Sequence, residues 1–493
     1  MRRVLAGFSL LALLSACTAA PPAQPPSAAP TSIPAADDQS FRAKAPDPLP
    51  TRPWQFPDVT RVTLDSGLRV LVAENHGAPL VTMRAVIRSG ADHDPATHAG
   101  LASFTAEMLD EGAGGRSSIA IAEAVADLGG SLNTGTDWDA SFVDLGVLSR
   151  NAEEGMSILS DVLIRPTLPV DEIERVRKER LTTILQQRDN ANAIAANRFS
   201  GFVYGGTPYA NPMIGTEATV GRISRADLND FYRKNYVPNN ISLIITGNIQ
   251  SDEALTMARR FFSTWQRGAE VAPVTITPRS IDANRIYVID RPQAVQSEIR
   301  VGHVGVDRRS EDYFPLFAMN TLLGGNFSSR MNLNLREKHG FTYGARTQMS
   351  FRRHAGPFMV ATPVRNEVTL PAVQQIMLEL ARIRSGDITD TELQNTKNYL
   401  MGVFPATVES ASDVANRLTE LEVYGLPEDY FSNYRERIAA VTADDLTRVA
   451  NKYVHPDKAA IVIVGKASDI REPLTELGYP IAVYDVDGKP ITQ

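Results

Sequence analysis

Residues 223–247 read ISRADLNDFYRKNYVPNNISLIITG, and residues 441–465 read VTADDLTRVANKYVHPDKAAIVIVG. The two stretches align without a gap at a constant offset of 218 residues, and the matched pairs include Asp227 with Asp445, Pro238 with Pro456 and Gly247 with Gly465. Each stretch begins with a hydroxyl residue suited to capping a helix, passes a proline turn and ends in an apolar run rich in β-branched residues. The pattern predicts that one unit of helix, turn and buried strand occurs twice.

The rest of the chain fits two α+β halves around these repeats. Strands are predicted at 62–73, as a pair around a turn at 65–67, and at 81–88, 285–290 and 298–304. Helical patterns are predicted at 99–111, 117–128, 150–164, 171–189, 251–265, 311–323, 328–338, 369–384 and 390–403. The segment 272–284 contains two prolines and predicts a linker. We therefore expect a first domain at 58–271 and a second at 285–485.

The N-terminus predicts a targeting segment. A short apolar run follows Arg2 and Arg3, and the run LSAC that ends at Cys17 is typical of a lipobox. We expect a lipoprotein signal peptide at 1–17, lipidation at Cys17 and a Pro/Ala-rich tether at 18–57. The alternative is that Cys17, the single cysteine of the chain, is an incidental core residue. Thr18 favours the outer membrane, so we expect a lipid-anchored protein facing the bacterial periplasm.

Composition excludes several classes of protein. The remaining chain, about 435 residues, is long enough for two domains. The net charge is −7, and no basic run with interleaved aromatic residues indicates nucleic-acid binding. No segment after the signal peptide is apolar for long enough to predict a membrane span.

Three segments resemble the M16 (pitrilysin-like) zinc peptidases. They are GLASFTAEM at 100–108, TPYANPMIGTEATVGRIS at 207–224 and GGNFSSRMNLNLREKHGFTYG at 324–344. The resemblance extends over about 58–485. It implies an α+β fold of two duplicated M16-type (LuxS/MPP-like) halves, each with an antiparallel-rich sheet and packed helices, that form one side of a clamshell.

The zinc motif of that family is absent from its expected place. In active members the frame at 100–108 carries HxxEH, in which two histidines bind zinc and a glutamate activates water. Here the histidine positions hold Ser103 and Glu107, and the glutamate position holds Ala106. The resemblance places the remaining ligand near Thr182 or Thr183. We therefore expect no metal and no other cofactor in this chain.

A replacement metal site is the alternative. His93, Asp94 and His98 lie within six residues and could belong to an active peptidase with an unusual site. The surrounding residues are typical of a surface loop, which seldom holds zinc tightly.

The substrate-binding residues of the family have counterparts here. Arg336 and Tyr343 match a pair that the resemblance implies to bind substrate and stabilise the oxyanion, since both side chains donate hydrogen bonds. The alternative is a helix-end arginine and a core tyrosine. The segment 131–134, comprising Ser131, Leu132, Asn133 and Thr134, matches a strand that takes up peptide by strand addition. It could equally be an ordinary edge strand kept soluble by polar residues.

Together these features predict a non-catalytic, substrate-binding subunit of a heterodimeric M16B zinc peptidase that degrades peptides in the periplasm. The chain alone is expected to be inactive, and the zinc is expected in a partner M16 subunit that carries HxxEH. The alternative is a peptide-binding or scaffolding lipoprotein without a role in catalysis.

Overall fold

The structure is a computed structural model of the 493-residue chain, and it describes residues 55–491. The predicted signal peptide, Cys17 and nearly all of the predicted tether lie outside the described residues. Within the described part, no helix combines the length and apolarity that crossing a bilayer requires.

The first half contains a large sheet, a short hairpin and a set of packed helices. Its strands are β1 (Val59–Thr63), β2 (Arg69–Glu74), β3 (Leu80–Ile87), β4 (Gly112–Ala113), β5 (Arg116–Ser117), β6 (Ser131–Thr136), β7 (Ser141–Leu148) and β8 (Ile241–Gly247). Its helices are α1 (Leu101–Glu107), α2 (Ser118–Asp127), α3 (Ala152–Ile164), α4 (Val170–Gln187), α5 (Ala191–Tyr204), α6 (Glu217–Val220), α7 (Arg225–Asn235) and α8 (Ser251–Phe262).

The second half repeats the plan. Its strands are β9 (Arg285–Asp290), β10 (Gln296–Val304), β11 (Arg346–Met349), β12 (Pro357–Arg365), β13 (Ala460–Gly465) and β14 (Ile481–Tyr484). Its helices are α9 (Tyr313–Asn320), α10 (Arg330–Asn332), α11 (Thr369–Ser385), α12 (Asp390–Val403), α13 (Ala411–Tyr424), α14 (Tyr434–Ala440), α15 (Ala443–Tyr453) and α16 (Ala467–Leu474). Turns of π-helix at Thr321–Gly325 and Leu333–Lys338 extend α9 and α10.

The two large sheets have matching topologies. The strand orders are β1-β2-β8-β3-β7-β6 and, read in the same sense, β14-β9-β13-β10-β12-β11. In both sheets the parallel pair β2–β8 or β9–β13 adjoins antiparallel neighbours. The outer strand differs, because β1 pairs antiparallel with β2 whereas β14 pairs parallel with β9. The predicted α+β fold with two duplicated halves is confirmed.

The sequence repeat explains the centre of each sheet. Ser224 and Thr442 cap α7 and α15, and Asp227 and Asp445 complete a capping box in each case. The following strands, β8 and β13, are buried along their whole length. The repeated sequence thus builds the same helix and central strand in both halves.

The halves exchange a helix. Helix α5 of the first half packs on β10 and β13 of the second sheet, and α13 of the second half packs on β3 and β8 of the first. Polar anchors accompany the packing: Arg300 donates to Asn192 Oδ1 over 2.9 Å, and Thr246 donates to the Ala411 carbonyl over 2.7 Å. Neither helix is among those predicted from the sequence. The domain boundaries at 271 and 285 stay a prediction.

Candidate functional site

Helix α1, which carries the degenerate zinc positions, is fixed by a buried carboxylate. Asp94 accepts hydrogen bonds from the backbone amides of Gly100 and Ala102, each over 2.7 Å. It thereby satisfies donors at the start of α1 that lack a partner within the helix. Burial raises the pKa of Asp94 to about 7. Asp94 is therefore part of the scaffold of α1.

The guanidinium of Arg180, on α4, lies between the two positions that hold histidine in active peptidases. Its Nη2 donates to Ser103 Oγ and to the Ile214 carbonyl, both over 2.7 Å. Its Nη1 lies 2.7 Å from Glu107 Oε2, close enough for an ion pair although the angle falls outside hydrogen-bond geometry. The Arg180 side chain is only 3% exposed and stacks over the Phe104 ring.

These residues do not fit a zinc ion. A guanidinium keeps its charge at any physiological pH and offers no lone pair to a metal. At this depth its charge would repel a dication. Glu107 is the one side chain among Ser103, Ala106, Glu107 and Arg180 that could ligate zinc, and it pairs with Arg180. We therefore assign no step of chemistry to a metal in this chain.

Arg180 of α4 contacts Ser103 and Glu107 of α1, whereas Thr182 and Thr183, the expected ligand positions, do not. Both threonines are exposed, and their hydroxyls donate to carbonyls of their own helix. The spacing of Arg180 from Ile173 and Val176 was the available signal, because it places the arginine on the apolar stripe of α4. The surrounding charges form ion pairs along the exposed face of α4, for example Arg175 with Glu172 and Glu179.

The alternative metal site around His93 and His98 does not assemble. The Nδ1 of His93 lies 2.5 Å from Asp92 Oδ1, whereas His98 Nδ1 contacts the Thr97 hydroxyl. Both oxygens of Asp94 face the amides of α1. Within residues 55–491, no group of three or more His, Cys, Asp or Glu side chains is arranged to hold a metal ion.

Tyr343 is held on a short, well-anchored loop. The helix before it ends at Gly340, whose φ of +62° favours glycine. Buried Asn332 ties both ends of the segment, donating to the Phe327 carbonyl over 2.7 Å and accepting from the Ala345 amide over 3.1 Å. Tyr343 itself is 96% exposed, so it is not a core tyrosine.

Tyr343 lines a cavity, which we call the Tyr343 cavity, and Arg336 contacts Phe327, another residue of its lining. It has a volume of about 530 Å³, and Tyr343 and Phe327 line it together with Arg300 of β10. The guanidinium carbon of Arg336 lies 4.4 Å from the centroid of the Phe327 ring, and its Nε lies 3.4 Å from Glu337 Oε1. Phe327 thus contacts the Arg336 guanidinium and lines the same cavity as Tyr343.

The predicted peptide-binding strand is β6, at the edge of the first sheet. Among residues 55–491 it pairs with β7 alone, so on its other side the backbone of Ser131, Leu132, Asn133 and Thr134 faces no described strand. It also packs against α1, beside the degenerate zinc positions. Tyr343 instead precedes β11, the corresponding edge of the second sheet. Both interpretations of 131–134, peptide binding and ordinary edge strand, accord with this placement.

Comparison with known families and structures agrees with this geometry. Residues 69–217 match the insulinase family (peptidase family M16), and residues 222–400 match the peptidase M16 inactive domain. An uncharacterized zinc protease of Mycobacterium leprae is 25% identical over 83% of this chain and 92% of its own. The uncharacterized zinc protease YmxG of Bacillus subtilis is 22% identical over 73% of this chain and 87% of its own.

Solved structures show the same fold. A peptidase M16 inactive domain from Pseudomonas fluorescens has a TM-score of 0.79 at 26% identity, covering 83% of this chain and 98% of the other. The periplasmic protease PqqL of Escherichia coli has a TM-score of 0.71 at 18% identity, and the match covers 90% of this chain and 52% of PqqL. With both family models and the duplicated fold in agreement, this chain belongs to the M16 peptidase family.

Proposed function

We propose that this protein is a non-catalytic, substrate-binding subunit of a heterodimeric M16B zinc peptidase that degrades peptides in the periplasm. The observation that carries the proposal is the buried contact of Arg180 with Ser103 and Glu107. A protonated guanidinium among the former ligand positions removes the metal, while the rest of the fold is retained. The zinc then belongs to a partner M16 subunit that carries HxxEH.

Arg336 and Tyr343 serve the partner's active site in this proposal. A guanidinium and a phenol are hydrogen-bond donors, and both stabilise negative charge that develops on a substrate carbonyl oxygen. The exposure of Tyr343 supports the role, because a side chain that completes another subunit's site has to project from its own. The neighbouring Phe327 ring is 68% exposed and offers apolar contact to a substrate side chain.

The substrate in this proposal is an unfolded peptide. Backbone groups of β6 are free to pair with an extended chain, and Ser131 to Thr134 would supply them. A lipid on Cys17 would hold the subunit at the outer membrane, facing the periplasm. The proposed location also accords with the similarity in fold to PqqL, which is described as a periplasmic protease.

The test is reconstitution with a candidate partner, an M16 chain with intact HxxEH from the same organism. Cleavage of an unfolded peptide should require both chains. It should fall by about tenfold or more with Arg336→Ala or Tyr343→Phe in this chain, because each variant loses a donor to the developing oxyanion. Arg365→Ala and Tyr399→Phe, at exposed positions on β12 and α12, are matched controls and should leave the rate unchanged.

Two outcomes would contradict the proposal. Full activity of the partner alone would remove any role for this chain in catalysis, and near-stoichiometric zinc in this chain alone would restore an independent peptidase. Peptide binding that is unchanged by Arg336→Ala and Tyr343→Phe, with no gain of activity when the two chains are mixed, would favour the scaffolding lipoprotein instead.

A further inference from the structure

A second cavity, which we call the inter-half cavity, lies between the two halves and has a volume of about 450 Å³. Four arginines line it, Arg69 and Arg88 from the first half and Arg309 and Arg353 from the second. Glu422 of α13 is the one carboxylate among its lining residues. Its volume lies in the range of small-molecule sites.

Two of the four arginines already have carboxylate partners. Arg69 lies 2.9 Å from Glu422 Oε1, and the other oxygen of Glu422 accepts from the Ser242 hydroxyl over 2.5 Å. Arg353 lies 2.8 Å from Asp92 Oδ2. Since these carboxylates are engaged, they leave little capacity to neutralise further positive charge.

The other two arginines, Arg88 and Arg309, form no ion pair within residues 55–491. Arg88 donates to the Asn239 carbonyl over 2.8 Å and to the Ser242 hydroxyl over 3.4 Å, and both acceptors are neutral. Burial lowers the pKa of Arg88, and the positive charges of Arg69 and Arg353 add to this effect, whereas the charge of Glu422 opposes it. Arg309 lines the same cavity and is exposed, and its guanidinium forms no ion pair with the described residues.

We infer that the inter-half cavity binds a phosphate group, held by Arg88 and Arg309. A half-buried cation without a counter-charge is unfavourable, and a bound anion removes that cost. Arginine is suited to phosphate, which it contacts through paired N–H donors. A phosphate monoester carries about −1.5 to −2 charges at neutral pH, which matches two unpaired guanidinium groups better than a carboxylate does.

Calorimetric titration of inorganic phosphate into the full mature chain tests the site, with ionic strength held constant by sodium chloride. The wild type should bind one phosphate per chain. The Kd should rise by about tenfold or more in Arg88→Gln and in Arg309→Gln, because each variant loses a charge-assisted contact. Arg150→Gln changes an exposed arginine outside the cavity and should bind like the wild type.

Arg309→Gln keeps the test decisive if Arg88→Gln disturbs the fold, because the Arg309 side chain is exposed. Absence of saturable phosphate binding by the wild type, or equal Kd values for Arg309→Gln and Arg150→Gln, would overturn the inference. Acetate that binds as tightly as phosphate would overturn the assignment to phosphate. The phosphate could belong to a phosphate monoester or be the free ion, and titration of glycerol 3-phosphate distinguishes the two. Binding tighter than that of inorganic phosphate identifies an ester as the ligand, and weaker binding identifies the free ion.

Discussion

The guanidinium of Arg180 occupies the place in the first half where a metal ion would have to bind. Arg180 contacts Ser103 and Glu107 and donates to the Gly100 and Ile214 carbonyls, so loop, helix α1 and helix α4 meet at one side chain. Placing histidines at positions 103 and 107 alone would still leave the positive charge of Arg180 at the site. In the proposed function, the loss of the metal therefore involves residues of both α1 and α4.

Rebuilding the metal site should need both helices. The triple variant Ser103→His, Ala106→Glu and Glu107→His is expected to bind zinc weakly, because Arg180 still repels the ion. Adding Arg180→Glu supplies a ligand and removes the repulsion, so affinity should rise by about tenfold or more, as for other interactions near a metal. Competition with a zinc chelator measures both constants, and equal affinities would show that Arg180 does not exclude the metal.

His303 should make stability depend on pH. Burial lowers its pKa to about 4, while Nδ1 donates to the Val304 carbonyl and Nε2 accepts from the His455 amide. Because the unfolded chain takes up this proton near pH 6.5, the neutral ring contributes stability that is complete above that pH and lost as pH falls toward 4. Between pH 7 and pH 5 the loss should be about 2 kcal/mol.

Urea unfolding of the wild type and of His303→Gln at both pH values isolates this effect. The difference between the two proteins is needed because buried carboxyls act in the opposite direction, and burial raises the pKa of Asp137 to about 6. An identical pH dependence in the two proteins would exclude His303 as the cause.

At the scale of single elements, the loop that presents Tyr343 depends on one amide. Asn332→Ala removes both the donor to the Phe327 carbonyl and the acceptor for the Ala345 amide. We expect a loss of about 1–3 kcal/mol in the free energy of unfolding, because buried groups are left unpaired. Proteolysis within 327–345 should accelerate.

The control for this variant is Asn398→Ala on the exposed face of α12, which should change stability by less than about 0.5 kcal/mol. Equal proteolysis of the two variants would show that Asn332 does not hold the loop. Cleavage can be followed by mass spectrometry of the fragments.

Local pattern predicted most elements, and its failures have physical causes. The helical pattern at 390–403 matches α12, and the strand at 285–290 matches β9. Helix α13 was missed although Ser410 and Asp413 form a capping box at its start. The sheet on which α13 packs could not be predicted at all, because helical periodicity shows which side is apolar and not what covers it. The contact of Arg180 with α1 could not be predicted for a related reason. Most charged residues of α4 are exposed, and the sequence does not show that this one packs against α1.

At the scale of the whole molecule, the exchanged helices make the halves depend on each other. In a fragment of residues 55–270, β3 and β8 lose the cover of α13, and buried residues such as Val86 and Ile244 become exposed. We expect this fragment to aggregate or to lack fixed tertiary structure, because exposed apolar surface of this kind is strongly unfavourable.

Coexpression with residues 271–493 should restore a soluble complex. The near-ultraviolet circular dichroism of the fragment, compared with the complex and the intact chain, measures the effect. A fragment that unfolds cooperatively on its own, with native tertiary signals, would contradict the expected dependence.

The helix exchange also bears on how the proposed heterodimer could admit a substrate. If the two sheets moved apart, α5 would separate from the second sheet and α13 from the first. Both movements would expose apolar surface to water. If this chain pairs with a second M16 chain as proposed, a gate is expected at the boundary between the two chains. In the proposed heterodimer, access would then be governed by how tightly the two chains associate, and dilution would abolish its activity by separating them.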